Sequence, residues 1–270
     1  MAKNKLSKVK TGIFGGSGFY KLLENADELS VRTPYGKTSD KIAIGRINGV
    51  EVAFMPRHGK KHQFSPSCIP YKANLWAFKK LGIERIIAPS ATGSLQPYIK
   101  PGDFVICDQF IDRTKHREET YYSGPKTIHI SMVEPYCLEL RRLAVKACEK
   151  LNIPVHKKGK VVIIEGPRFS TKAESEWYQK SNFEVINMTQ YPEVVLAREL
   201  EMCYVNISLI TDWDAGIIGN KNIKPVTAVE VARIFNKNIN RIKNLIYEIV
   251  KNIPPSRKCF CKNALKEASL

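Results

Sequence analysis

The sequence predicts an α/β fold: one domain built on a central mixed, largely parallel β-sheet flanked by helices. Three observations carry this. Short runs rich in Val, Ile and Phe alternate with longer amphipathic stretches along the chain, the order that lays helices on the faces of a sheet. Glycine and polar residues collect just after the apolar runs, where ligand crevices form in open α/β sheets. No linker or internal repeat divides the 270 residues, a length within range for one α/β domain. The domain is expected over residues 1–255, with a Cys-containing tail over 256–270.

The elements follow in order. "TGIFGG" at 11–16 reads as a short strand entering a glycine turn. "KIAIGRINGVEVAFMPR" reads as two strands around Asn48-Gly49, a strong hairpin signal. "PYKANLWAFKKL" near 70–81 is helical, "RIIAPSATGS" is a buried strand running into a loop, and "DFVICDQFID" is a further strand. Residues 135–151 form a helix with Leu138, Leu143, Val145 and Leu151 among its apolar positions. "KVVIIEGPRF" and "EVINMT" are strands separated by a helix near 171–180, and a helix at 191–201 leads into the strand "CYVNISLITDWD". The last long helix starts near Thr227, where Thr227 and Glu230 have capping-box spacing. Val231, Phe235, Ile239, Ile242, Ile246 and Ile249 form its apolar stripe, and Pro254-Pro255 ends it.

Bulk properties exclude some functions. No apolar stretch is long enough to span a bilayer, and the Lys-rich start lacks a signal-type apolar core. The expected location is cytoplasmic, with no membrane partner. The formal net charge of +17 would draw phosphate-bearing substrates. The lysines are scattered, without zinc-finger spacing, an RNP-like aromatic motif or a basic helix. A solvated Lys-rich surface therefore explains the charge better than a nucleic-acid-binding role.

The seven cysteines include no CxxC pair, so the expected metal content is none. All seven are free thiols in a reducing cytosol, whereas hyperthermophile proteins keep disulfides inside the cell. For the second case the expected pairs are Cys137 with Cys203, and a local bridge between Cys259 and Cys261.

Chemistry gathers at the strand ends. Gly15-Gly16-Ser17-Gly18 offers backbone N–H groups and a hydroxyl to an anion, although it is neither a dinucleotide fingerprint nor a P-loop. Arg57 adds a guanidinium fork suited to phosphate oxygens, with His58 beside it. With Ser90, Ala91 and Thr189 these residues make a candidate phosphate pocket. Phe169 and Met188 suit either core packing or a stacking surface for a base and a sugar. Asp212 and Asp214 end an apolar run. Burial there raises a carboxyl pKa, and a carboxyl still protonated near neutrality can donate to a leaving group.

The segments "GIFGGSGFY", "PRHGKKHQFSPS", "ATGSLQPYIKPGDFVICDQFIDRT", "EGPRFSTKAESEWY", "VINMTQYPEVVLARE" and "LITDWDAG" together resemble the 5′-methylthioadenosine phosphorylases, relatives of the trimeric purine nucleoside phosphorylases. They stand in family order from residue 12 to residue 216. The resemblance implies a nucleoside phosphorylase-type fold and a pentosyltransferase. Phosphate would displace adenine from methylthioadenosine, giving 5-methylthioribose 1-phosphate, with adenosine a further possible substrate. No cofactor is implied, because inorganic phosphate is a co-substrate. The resemblance assigns Ser17, Arg57, His58, Ser90, Ala91 and Thr189 to phosphate. It assigns Met188 to ribose, Phe169 to the base wall, and Trp213 with the two acids to the substrate. Asp214 would share a proton with adenine N7, and Asp212 would face the 6-amino group. His129 would enter the pocket of a neighbouring subunit in a homotrimer or homohexamer. Ser170 and Ala228 would border the specificity pocket. The alternative within this scaffold is a phosphorylase acting on 6-oxopurines, which tends to carry Asn where Asp212 stands. The Cys259–Cys261 tail is not general to the family.

Overall fold

The computed structural model describes residues 9–16 and 23–269; Ser17 lies outside them. Among the described residues, eleven strands form one sheet. The first three segments are β1 (Thr11–Gly15), β2 (Glu24–Leu29) and β3 (Ile42–Ile47). Next come β4 (Val50–Pro56), α1 (Tyr71–Lys80) and β5 (Arg85–Ser94). The middle of the chain gives β6 (Phe104–Val105), β7 (Gln109–Arg113), α2 (Leu138–Lys150), β8 (Val155–His156) and β9 (Lys160–Ile164). The last elements are α3 (Lys172–Lys180), β10 (Val185–Asn187), α4 (Gln190–Glu199), β11 (Cys203–Asp212) and α5 (Ala228–Lys251).

The sheet is mixed and mainly parallel, as its sequence pattern predicts. β1 runs parallel to both β4 and β5, and β5 runs parallel to β11. β5 is the hub, because its far end also pairs antiparallel with β10. β5 and β11 carry almost uninterrupted buried residues, which is why they read as apolar runs rather than alternations. β3 and β4 form the expected hairpin. Asn48 and Gly49 both take positive φ at its turn, as a type I′ connection requires.

Helices cover both faces. α1 and α4 pack on one, through Leu75, Phe78, Val194 and Leu196. α2 and α5 pack on the other, through Leu140, Ala144, Ile242 and Ile246. α3 closes a smaller cluster, in which Tyr178 meets Val162, Ile164 and Ile186. Each fully buried Leu, Ile, Val or Phe contributes roughly 1.5–3 kcal/mol, so the two large clusters hold the sheet rigid beneath the strand ends.

Several local expectations change. β2 is an edge strand of sequence ENADEL on β3; it has no apolar alternation to announce it. "DFVICDQFID" is two strands, not one. β6 pairs with β11 and β8, whereas β7 pairs with β9. Between them Asp108 Oδ1 accepts from the Gly159 amide at 2.9 Å and turns the chain from one partner to the other. The buried stripe of α2 is Leu140, Ala144, Ala147 and Cys148, with Leu143 and Val145 only partly covered. Thr227 caps α5 by accepting from the Glu230 amide, but the Glu230 carboxylate binds Arg233 instead of reaching back. The complete capping box belongs to α3, between Thr171 and Glu174.

The expected disulfides are absent: the cysteines are free, and Cys203 Sγ has Cys259 Sγ at 3.3 Å. A disulfide requires about 2.05 Å. The folded tail brings Cys259 against Cys203, which sequence proximity to Cys261 could not reveal. Among the described residues, no helix is long and apolar enough to cross a membrane.

Candidate active site

A chain of contacts joins the strand ends. β4 leads straight into Arg57, whose amide donates to Gly15 O at the end of β1 (3.0 Å). The Arg57 side chain is buried. Its Nε and Nη2 bind the two carboxylate oxygens of Glu193 at 2.6 and 2.8 Å, and Nη1 points to Pro89 O at 3.4 Å in β5. Burial disfavours this charge, but Glu193 outweighs it and holds the guanidinium pKa above its ordinary value. Tyr204 of β11 donates to the same carboxylate at 2.7 Å. A guanidinium has five N–H donors, so this fixed fork keeps donors for an anion.

His58 Nδ1 lies 2.9 Å from Phe64 O. A carbonyl can only accept, so Nδ1 carries the proton and Nε2 keeps a lone pair. Burial lowers the pKa to about 4; the Phe64 carbonyl opposes that, while Arg57 and the stacked His62 reinforce it. His58 is therefore a neutral, oriented imidazole beside a fixed cation.

The end of β10 is tied to β5 by Asn187. Its Nδ2 donates to Ala91 O at 2.9 Å, while its Oδ1 accepts from the amides of Thr189 at 2.7 Å and Gln190 at 3.0 Å. Thr189 is thus held beside Ala91 at the start of α4. Ser90 is buried and bonded to Asn206, whose Nδ2 reaches Ser90 Oγ at 3.1 Å. Met188 connects the next loop: a Cβ on Gly166 would lie 2.7 Å from Met188 Sδ. Gly166 has φ of 64°, so both sterics and backbone conformation require glycine there. Arg117 clamps the two loops by donating to Met188 O at 2.8 Å and Glu165 O at 2.7 Å. Phe169, 37% exposed, stands at the rim of this loop.

The acids close the circle. A bulge between Ile210 and Asp212 places Asp212 beside Gly93 of β5. A Cβ on Gly93 would come within 2.8 Å of Asp212 Oδ1 and 2.9 Å of Ile186 Cγ2. Asp212 accepts from Thr211 Oγ1 at 2.7 Å and from the Asp214 amide at 2.8 Å. Asp214 has φ of 47°, a left-handed conformation that Asp tolerates better than most residues. Its side chain is buried, and Oδ2 has no hydrogen-bond partner. Burial raises the pKa of both carboxyls. For Asp214 the Ser175 and Ser170 hydroxyls pull downward, while the charge on Asp212 pushes upward. A buried acceptor left unsatisfied is costly, and Asp214 Oδ2 is one such acceptor. The Trp213 Nε1 donor is likewise buried and unpartnered.

These contacts bring Arg57, His58, Ser90, Ala91, Met188, Thr189, Asp212 and Asp214 to one region, with Ser170 beside it. Ala228 is exposed at the start of α5, two residues after Val226, whose amide donates to Asp214 O at 2.9 Å. His129 stands apart. It is exposed and lines a groove of about 500 Å³ with Tyr191, Glu199 and Met132. That groove contains neither acid and is not where the chemistry converges. Glu193, Asn187, Asn206 and Arg117 were missed as site-builders. They lie in ordinary helix, strand and loop sequence, and only their long-range partners reveal them.

The family described as the phosphorylase superfamily matches residues 10–251. An S-methyl-5′-thioadenosine phosphorylase of Pyrococcus furiosus is 52% identical over 257 residues, covering 95% of this chain and 98% of that one. A methylthioadenosine phosphorylase from an Antarctic soil metagenomic library superposes with a TM-score of 0.91 at 39% identity, covering 98% and 93% of the two chains. The methylthioadenosine phosphorylase of Schistosoma mansoni in complex with adenine gives 0.90 at 34% identity, covering 97% and 99%.

Proposed function

This chain belongs to the phosphorylase superfamily, and from that premise we propose that it cleaves 5′-methylthioadenosine with phosphate to adenine and 5-methylthioribose 1-phosphate. The observation that carries the reading is the acid pair ending β11, half-buried Asp212 and buried Asp214, with one carboxylate oxygen of Asp214 left unpaired. Adenine is a poor leaving group as an anion. A proton shared between Asp214 and N7 lets it depart neutral, and the burial that raises this pKa keeps the proton available. Asp212 holds its two fixed donors with one lone pair of each oxygen. A further lone pair can accept from a 6-amino group.

Bond breaking ahead of attack leaves positive charge on the sugar, which a phosphate dianion below the ring stabilises. Arg57 supplies the fixed cation, and Thr189, Ser90 and the Ala91 backbone supply neutral polar contacts; the same role is proposed for Ser17. The neutral His58 fits a hydrogen phosphate, because its Nε2 lone pair can accept from the P–OH. Met188 would cover the ribose and Phe169 the base, with Trp213 beside the acids and Ser170 and Ala228 bordering the specificity pocket. No cofactor enters this scheme. His129 is exposed on its own chain, which suits the proposal that it completes a neighbour's pocket in a trimer or hexamer. A reducing cytoplasm suits the free thiols.

The test replaces Asp212 by Asn, which adds a donor suited to a 6-oxo group. Catalytic efficiency should shift from methylthioadenosine toward methylthioinosine. An unchanged ratio would remove Asp212 from the 6-position.

A further inference from the structure

Away from the acids, the four sulfurs of Cys137, Cys203, Cys259 and Cys261 lie within 4.8 Å of one another. They come from three parts of the chain. Cys137 is the residue before α2, Cys203 opens β11, and Cys259 and Cys261 flank Phe260 in the tail. Cys137, Cys203 and Cys261 are buried, and Cys259 is half-buried. No CxxC spacing announces this cluster, because the fold assembles it from one CxC and two isolated cysteines.

We propose that these four cysteines bind one zinc ion as a tetrathiolate site that anchors the C-terminal tail to the domain. A zinc–sulfur bond of about 2.3 Å puts tetrahedral sulfurs about 3.8 Å apart. The Cys203–Cys259 separation of 3.3 Å and the 4.8 Å limit on the whole set bracket that spacing, so small side-chain shifts suffice. Four soft thiolates around one point select zinc over calcium or magnesium. Binding exchanges four S–H protons for four Zn–S bonds and leaves the centre with two net negative charges. The buried Arg198 is placed to offset that charge, with Nη1 at 3.9 Å from Cys261 Sγ and its guanidinium over the Phe260 ring. No oxidant is needed, and all four sulfurs are used at once; disulfides would consume them in separate pairs.

The site would hold more than the tail. Ala268 O accepts from the His129 amide at 2.7 Å, so a fixed tail also braces the segment that carries His129. This last consequence rests on the functional reading above; the metal site does not.

Protein purified under reducing conditions without chelator should contain about one zinc per chain by elemental analysis. Cobalt substitution should give the intense visible bands of tetrahedral cobalt thiolate. A Cys259→Ser/Cys261→Ser variant should lose both signals while keeping its circular dichroism. Zinc removal should speed proteolytic trimming of the tail, a readout independent of catalysis. The proposal is overturned if reduced apo-protein takes up neither metal, or if the double variant binds as much as the parent. An intact mass four hydrogens short of the fully reduced chain, with no metal, would show two disulfides instead.

Discussion

Asp214 combines a positive φ with a buried ionisable group and an unpaired oxygen, and the buried charge is a cost that an amide in its place would avoid. Such a residue is retained for what it does with a ligand. Asp214→Asn should lose roughly 10²–10⁴-fold in rate on every purine nucleoside, the usual worth of general acid catalysis. Asn also tolerates the left-handed backbone, and it removes a desolvated charge. The variant should therefore be more stable at neutral pH by about 1 kcal/mol, or roughly 2–4 °C in Tm. The sign with pH follows from linkage. A carboxyl raised in the folded state favours folding while it keeps its proton and loses that advantage as pH rises through its folded pKa. The variant's thermal advantage should vanish in acid and grow toward neutrality. A uniform stability difference across pH would mean that Asp214 is not the buried acid it appears. The two aspartates were legible in the sequence because charges ending an apolar strand contradict their surroundings. Asn187 and Glu193 contradict nothing locally, and their roles depend on partners 96 and 136 residues away.

At the scale of elements, β5 and β11 position the acids through their shared register. The pairing slips once, between Ile210 and Asp212, and Asp212 then faces Gly93. Gly93→Ala would push a methyl into Asp212 Oδ1 and Ile186. Overpacking of this kind costs about 1–3 kcal/mol in stability. The displaced acid should cost catalysis on the order of 10²-fold, as small misplacements do, measurable beside the Tm in one preparation. Wild-type turnover with an unshifted melting curve would contradict the close packing of this register. Most strands and helices were legible because their apolar periods are long and unbroken. β2 lacked any apolar pattern, and the β6–β7 division depends on partners at different places in the sheet. The bulge at Thr211 leaves no mark in composition, although it aims the acid.

For the whole molecule, the strand ends form one centre because β1, β4, β5 and β11 run the same way, and side-chain clamps draw the β9 and β10 loops onto them. That arrangement puts a fixed cation and a neutral imidazole at the end of β4, and half-buried Asp212 and buried Asp214 beside Gly93. The central claim is that these halves act on one nucleoside together, with phosphate as the attacking group. Incubation of the enzyme with methylthioadenosine, with and without phosphate, tests it by adenine absorbance and phosphorus NMR of the sugar product. Adenine release that requires phosphate, matched by a sugar 1-phosphate signal, is the predicted result. Equal adenine release in phosphate-free buffer, with free methylthioribose as the product, would contradict it.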